Sequence, residues 1–387
     1  MNQGFDDFIE PFQSHGESEF PFRDANLSRS DFSYSTMSFE DFSRSDLAEA
    51  DLTFGTFIES NFSGADLSSA DLSGSDFSDS NFSDAKLTRS NLTGATFHGA
   101  DFSGADLTRA ILRRADFQGA NLTGAIINEV DFFGADLTGA DLSDSSLLDS
   151  YFRKSRLLAI LEGTTIESRE REPVNMSGAD FSGSDLRGRS FLLFDLAFAN
   201  FRGANLASCS LHVTDLEGAD LSHADLTDVN LIAADLRDAT LENAVLTRTR
   251  MISAVLYGVN LEGADLSTAK LHDITACDII GTPKGLPSPW RLIDGYLLGP
   301  GAHFLENDLR LVMEPGMKMP GAEFLSCDLR GASMMGSNFQ AARFVKCDLT
   351  GANFQSCLLK GAEFFDCQLA DSNFEQVDLS EVAFTQA

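Results

Sequence analysis

The amino-acid sequence predicts an all-β fold in which the chain winds into a four-sided parallel coil, and two periodicities support this prediction. A large apolar residue returns at every fifth position, as in GADLSSADLSGSDFSDSNF from Gly64 to Phe82. Five is the period of neither an α-helix nor a β-strand. Residues of the same type also return every 20 positions. A square coil explains both periods, because it has one pentad on each side and about 20 residues per turn. Backbone groups are then paired between coils about 4.8 Å apart, as in a parallel sheet.

Residue types follow a fixed order within each pentad. We call the large apolar position i; position i−2 is usually Ala, Ser, Cys, Gly or Val, position i−1 is usually Asp or Asn, and position i+1 is often Ser or Thr. The steady supply of large apolar residues is incompatible with a disordered chain, and a period of five excludes a fibrous G-x-y chain. The side chains expected to point inward and stack between coils include Phe62, Leu67, Leu72, Phe77, Phe82, Leu87, Phe324, Leu329, Phe344, Leu349, Phe364 and Leu369.

The stretches GADLSSADL, GADLTGADL and SGADFSGSDLRG resemble the motif of the pentapeptide-repeat family, which is approximately A(D/N)LxX, and the resemblance covers nearly the whole chain. The family implies a right-handed quadrilateral parallel β-helix, a handedness that the periodicity does not supply. Some gyrase-protecting members end in a helix that makes a dimer, and this sequence departs from that pattern. Its last coil is expected either to pair end to end with another copy, as a homodimer, or to be weakly ordered.

The pentads hold three successive registers, which divide the chain into three repeat blocks. The first block spans residues 20–157, the second spans 177–276 and the third spans 322–387. Such a solenoid is quasi-one-dimensional, so that its ends need protection.

The remaining segments interrupt or flank the blocks. Residues 1–19 are expected to form an N-terminal tail or a cap, residues 158–176 an irregular break, and residues 277–321 a Pro/Gly-rich bridge in which Trp290 covers exposed core. Each interruption is either a joint between blocks or a binding segment on a rigid scaffold. The basic residues of the candidate binding loop at the break are Arg153, Lys154, Arg156, Arg169 and Arg171.

The net charge of −31 and the sequence pI near 4.3 narrow the class of partner. Direct binding to nucleic acid or to an anionic membrane is disfavoured, because both require Lys and Arg. No apolar run approaches the roughly 18 residues of a membrane span. The N-terminus MNQGFDDFIEPF lacks the basic region and apolar core of a secretion signal, which indicates a cytoplasmic protein with reduced cysteines.

The sequence contains no pattern typical of catalysis, and we expect a non-enzyme without cofactor or metal. It has no G-x-S-x-G elbow, no P-loop and no dinucleotide-binding glycine motif in the required context. No C-x-x-C or H-x-x-H spacing suggests zinc, and Cys at position i−2 serves as a small core residue. Repeated carboxylates are the opposite of one specialised acid/base pair.

Two functional hypotheses remain, and both need a protein partner. The first is a protein-binding scaffold with an acidic surface. The second comes from the family resemblance: a DNA mimic that modulates DNA gyrase or topoisomerase IV and gives toxin or quinolone protection. Residues 22–150 hold 22 acidic and 8 basic residues, a net −14 over about 31 Å, which approaches the charge spacing of duplex DNA, about one per 1.7 Å. The candidate mimic surface is Asp66, Asp71, Asp76, Asp101, Asp106, Asp116, Asp131, Asp136 and Asp141.

Overall fold

The structure of the chain is a computed structural model that describes residues 20–147, 150–152, 155 and 175–386. The backbone divides into two compact units, Met1–Asp180 (unit 1) and Phe181–Ala387 (unit 2). The described residues form short strands, single β-bridges and turns, with no helix among them. Nothing in this part of the chain has the helical length and apolarity that crossing a bilayer requires. The predicted all-β solenoid with four pentads per coil is confirmed.

One pentad illustrates how the backbone forms a side and a corner. The N–H of Leu67 donates to the carbonyl of Lys86 in the next coil at 2.7 Å, and the N–H of Ser69 donates to Thr88 at 2.9 Å. The N–H of Ala70 closes the turn on the carbonyl of Leu67 at 3.1 Å. Ser69, at position i+2, has a φ of 58°. Such a left-handed corner costs an ordinary residue about 1–2 kcal/mol, which explains the frequent glycine at this position.

In unit 1 the coils stack through parallel bridges between residues at position i−1. Every described bridge from Asn26 to Tyr151 joins residues 20 apart. Inside the coil, Phe62 and Phe82 stack with ring centroids 4.8 Å apart and planes inclined by 4°. Phe77 meets Phe82 edge-on at 5.4 Å. Rings therefore stack along the coil axis and interlock across it, an arrangement that fills the square interior.

Unit 2 contains all the regular strands of the described residues, each three residues long. β1 and β2 are parallel, β3 and β4 form an antiparallel hairpin, and β5 to β9 form a five-stranded parallel sheet. The strands are β1 Arg250–Ile252, β2 Lys270–His272, β3 Arg291–Ile293, β4 Tyr296–Leu298, β5 His303–Leu305, β6 Glu323–Leu325, β7 Arg343–Val345, β8 Glu363–Phe365 and β9 Ala383–Thr385.

The segment 277–321 is more regular than the bridge expected from the sequence. Thr275 pairs with His303, a step of 28 residues instead of 20, and the additional residues accommodate the β3–β4 hairpin. The parallel ladder therefore resumes at His303, before residue 322. Met317 and Met319 fill core positions in this segment.

Trp290 lies at the start of this hairpin and is buried. Its indole ring covers Gly299 so closely that a Cβ on Gly299 would lie 2.2 Å from the ring. Glycine at this position thus allows the tryptophan to pack flat against the backbone.

The predicted core residues point inward, with one difference. Eleven of the twelve are fully buried. Leu369 is only partly buried, because its column of stacked residues ends at this coil within the described part of the chain. Leu379 and Phe384, in the same final coil, are exposed for the same reason.

Candidate interaction surfaces

The nine aspartates of the candidate mimic surface share one structural role. In each, the Oδ1 atom accepts the backbone N–H of the residue two positions later, at 2.9–3.0 Å. Asp66 with Ser68 and Asp101 with Ser103 are examples. This bond forms an Asx-type turn that holds the corner of the coil. The carboxylates are therefore fixed by the backbone and each has one oxygen committed to it.

The β-bridges assign these nine aspartates to all four sides of unit 1. Three sides carry two aspartates each and the fourth carries three. The sets are Asp66 and Asp106, Asp71 and Asp131, Asp101 and Asp141, and finally Asp76, Asp116 and Asp136. Negative charge thus surrounds the coil instead of forming one acidic face.

Neutral or basic residues separate most of these aspartates along each side. Asn121 donates through Nδ2 to Oδ1 of Asp101 at 2.9 Å, and Lys86 Nζ lies 3.1 Å from Oδ2 of Asp66. Burial raises the pKa of Asp66, but hydrogen bonds from Ser68 and Lys86 outweigh it and leave the pKa below its usual value. These intervening residues relieve the repulsion that stacked like charges would cause. All nine aspartates occupy the same position of the repeat, but the structure shows that their neighbours in the adjacent coils differ.

The candidate binding loop at the break between the first two repeat blocks contains five basic residues. Its members, Arg153, Lys154, Arg156, Arg169 and Arg171, lie outside the described residues.

An exposed aromatic group, which the sequence analysis missed, lies on unit 1. It consists of Tyr34 and Phe54 at one corner of the coil and Phe39 at the next corner, and these residues are 75%, 58% and 72% exposed. All three occupy position i+2 with positive φ. The rings of Tyr34 and Phe54 stack at 5.4 Å, and the Phe54 ring lies over Gly74 in the next coil. The missed signal is an aromatic residue at i+2, where the repeat usually has a small or polar one.

Unit 2 contains a group of carboxylates close enough to hold a cation. Oxygen atoms of Asp215, Glu217 and Asp235 lie within 4.8 Å of one another. The guanidinium of Arg237 approaches Glu217 and Asp235, with Nη2 at 2.7 Å from each. This arginine already provides the positive charge that a metal ion would otherwise supply to the group.

The cysteines occupy the interior as free thiols. Cys327, Cys347 and Cys367 are buried one coil apart, and Sγ of Cys347 donates to the carbonyl of Phe324 at 3.3 Å. Burial raises the pKa of two other thiols, Cys209 and Cys357, to about 11. A thiol with such a pKa is protonated at neutral pH and is a poor nucleophile.

A four-sided coil with Leu and Phe inside and Asp or Asn beside them at the bridges between coils defines a β-solenoid built from five-residue repeats. A family model described as "Pentapeptide repeats" matches eight copies, over residues 22–64, 60–99, 90–128, 100–139, 130–158, 195–231 and 234–273. A second, described as "Pentapeptide repeat region", matches residues 317–387. Together they cover well over half of the sequence, and the chain belongs to the pentapeptide repeat family.

Several solved structures are similar to this chain. HetL, a pentapeptide repeat protein involved in heterocyst differentiation regulation from Nostoc sp. strain PCC 7120, is 29% identical, with 63% of this chain and 89% of HetL covered and a TM-score of 0.27. A pentapeptide repeat protein from the Arabidopsis thaliana thylakoid lumen is 40% identical to this chain and has a TM-score of 0.25. The match covers 25% of this chain and 68% of the Arabidopsis protein.

A third similar structure is a trypsin-treated form of QnrB1, a plasmid-mediated fluoroquinolone resistance protein. It is 20% identical, with 51% of this chain and 86% of QnrB1 covered and a TM-score of 0.28. No curated protein sequence matches the chain.

Proposed function

We propose that this chain is a non-enzymatic scaffold that binds a protein partner through outward-facing side chains of its solenoid. The observation that supports this most is the exposed aromatic group of Tyr34, Phe39 and Phe54. Large aromatic residues dominate the binding energy of many protein interfaces, and a soluble surface gains nothing from exposing them. In an otherwise acidic unit they are the natural contact points for a partner.

The solenoid also provides a rigid support for these contacts. Each pentad in the described coils of unit 1 is tied to its neighbours by backbone hydrogen bonds of 2.6–3.4 Å. Stacking of Tyr34 on Phe54 further restricts both rings before any partner arrives. A surface that is ordered in advance loses less conformational entropy on binding.

A triple variant tests this proposal: Tyr34→Ser, Phe39→Ser and Phe54→Ser. The matched control is Glu59→Ser, Asp79→Ser and Arg89→Ser, which changes three residues of unit 1 that share position i+2 and positive φ. The two variants and the native protein are cross-linked in extract of the source cells, and captured proteins are identified by mass spectrometry.

We expect the native chain and the control variant to capture the same partner protein. The aromatic variant should not capture it. The proposal is wrong if every captured protein survives the aromatic substitutions, since the aromatic group would then contribute nothing to binding. Circular dichroism of the three proteins must be identical for the comparison to count.

The second candidate is DNA mimicry directed at DNA gyrase or topoisomerase IV. The observation in its favour is the placement of aspartates on all four sides of unit 1, as phosphates surround a duplex. A type II topoisomerase grips its DNA with basic side chains, and an acidic rod of similar charge spacing competes for them.

A variant that removes five negative charges and keeps the same turns tests the mimicry. Changing Asp66, Asp71, Asp76, Asp101 and Asp106 to Asn keeps an Oδ1 acceptor for each turn. Native asparagines already do this, since Ser63 N–H donates to Asn61 at 3.0 Å. Gyrase supercoiling and topoisomerase IV decatenation are measured with native protein and variant, with and without a fluoroquinolone. Inhibition or protection by the native chain alone supports mimicry; no effect of either protein at micromolar concentration refutes it.

A further inference from the structure

The sheet formed by β5 to β9 in unit 2 presents an apolar column to solvent. Leu305, Leu325, Val345 and Phe365 lie in register on successive strands, each at position i+1, where the repeat often has Ser or Thr. Leu305 is 61% exposed, Leu325 36% and Phe365 40%. Four adjacent apolar side chains on a flat sheet face form a contiguous patch, unlike the single exposed apolar residues common on protein surfaces.

A charged column runs beside the apolar column on the same sheet face. It consists of the charged residues Glu323, Arg343 and Glu363 on β6 to β8 and is continued on β5 by His303. Within the chain, the Arg343 guanidinium lies 3.0 Å from Glu323 and 3.2 Å from Glu363. In the turn that precedes each of these four strands, the residue with positive φ is small: Gly301, Gly321, Ala341 and Gly361.

We propose that this face binds the same face of a second copy of the chain, with the two solenoids antiparallel. The two-fold axis lies in the plane between the sheets and passes between β6 and β7. Leu325 then faces the partner's Val345, and Leu305 faces the partner's Phe365, so that the two apolar columns cover each other. An isologous contact of this kind requires a surface that is complementary to itself.

The charged column has the self-complementary pattern that this arrangement needs. Glu323 faces the partner's Arg343, and His303 faces the partner's Glu363, each pair occurring twice by symmetry. An axis through β7 would place Arg343 on the partner's Arg343, and an axis through β6 would place Glu323 on the partner's Glu323. Both cost energy through like-charge repulsion. An axis between β7 and β8 leaves Leu305 without an apolar partner.

The size of the face sets the strength of this dimer. Four rungs at about 4.8 Å give a contact about 20 Å long, which is smaller than a standard protein interface. We therefore expect a reversible dimer with a dissociation constant in the micromolar range. Glu306 faces the partner's Asp366 at the rim, where water and salt screen the repulsion.

Two single variants and their mixture test the proposal on the full chain. Arg343→Glu puts Glu opposite Glu in its own homodimer, and Glu323→Arg puts Arg opposite Arg. In a mixed dimer of the two variants, each of these contacts again joins opposite charges. Sedimentation velocity between about 1 and 200 µM measures the dissociation constant, and circular dichroism verifies that both variants are folded.

We expect the native chain to dimerise, each variant alone to dimerise at least tenfold more weakly, and the equimolar mixture to recover most of the affinity. If Arg343 acted only through contacts within its own chain, mixing the two variants would not restore the affinity of the dimer. A native chain that stays monomeric throughout the range overturns the proposal, as does a mixture no stronger than its components. Loss of the dimer in Leu379→Ser, together with full dimerisation of both charge variants, overturns it in favour of end-to-end pairing through the last coil.

Discussion

Truncation of one stacked ring should reveal how far the solenoid depends on its interior. Phe82 is fully buried in unit 1. Its ring stacks on Phe62 at 4.8 Å and on Phe102 at 4.7 Å, and it meets Phe77 and Phe97 edge-on at 5.4 and 5.8 Å. Phe82→Ala removes all four ring contacts at once and leaves a cavity between three coils.

The expected loss follows from burial and from the four contacts. Phe→Ala in a closed core costs about 3–5 kcal/mol, and the rigid backbone ladder prevents the neighbouring coils from collapsing into the cavity, which favours the upper half of that range. Phe82→Leu should cost much less, about 1–1.5 kcal/mol, because an apolar side chain of similar length remains. Leu122 already occupies the same column of unit 1 and is fully buried.

Thermal unfolding followed by far-ultraviolet circular dichroism measures the effect. A loss of about 4 kcal/mol in a domain of this size lowers Tm by roughly 8–16 °C. Trp290 is the single tryptophan and lies in unit 2, so its fluorescence reports on the other unit in the same sample. We expect the fluorescence transition to stay close to its native midpoint.

Phe54→Ala is the matched control, since it removes the same side chain from an exposed position of unit 1. It loses one stacking contact with Tyr34, and we expect less than about 1 kcal/mol. The reasoning is refuted if Phe82→Ala destabilises unit 1 no more than Phe54→Ala does. Interior stacking would then contribute little, and the backbone ladder alone would hold the coils.

Three further predictions concern turns, acid and thiols. Asp101→Ala should cost about 1 kcal/mol in denaturant unfolding because Ser103 N–H loses its acceptor, whereas Asp101→Asn should cost little; equal losses would contradict the turn role. A hydrogen bond from Arg310 lowers the pKa of Asp308 to about 2, so its stabilising contribution is complete above about pH 4 and is lost as the pH falls towards 2. The stability difference between the native chain and Asp308→Asn, measured by denaturant unfolding, should therefore shrink between pH 4 and pH 2; a constant difference would exclude this linkage. All six thiols should resist a thiol reagent such as DTNB in native protein and react rapidly in denaturant, and fast labelling of the native form would show that the interior opens.

The aspartates of the acidic surface have a structural role in the fold. The nine aspartates on the candidate mimic surface hold corners, and most alternate with Asn, Thr, Lys or Ile along their sides. Acidity therefore accompanies the repeat itself, and only the Asp→Asn series separates its electrostatic role from its structural one. The exposed aromatic group has no such role in the repeat, so that its substitution is the clearer test of the proposed binding.

The sequence by itself determined the repeating part of this protein. A period of five places one apolar side chain on each side of a coil, and a period of 20 aligns like with like, so that the interior from Phe62 to Leu87 followed from spacing alone. These features are local and recur in every coil, which is why a pattern in one dimension suffices to predict them.

Tertiary structure alone decided the features that depend on which residues meet between coils. The stacking of Tyr34 on Phe54, the hairpin that extends one coil between Thr275 and His303, and the alignment of Leu305 with Leu325 are of this kind. The position of each depends on the register between neighbouring coils. An insertion changes that register without leaving a periodic signal, and an exposed side chain at a turn has no spacing rule to reveal it. The physical reason is that periodicity reports burial, whereas recognition depends on the side chains that periodicity leaves outside.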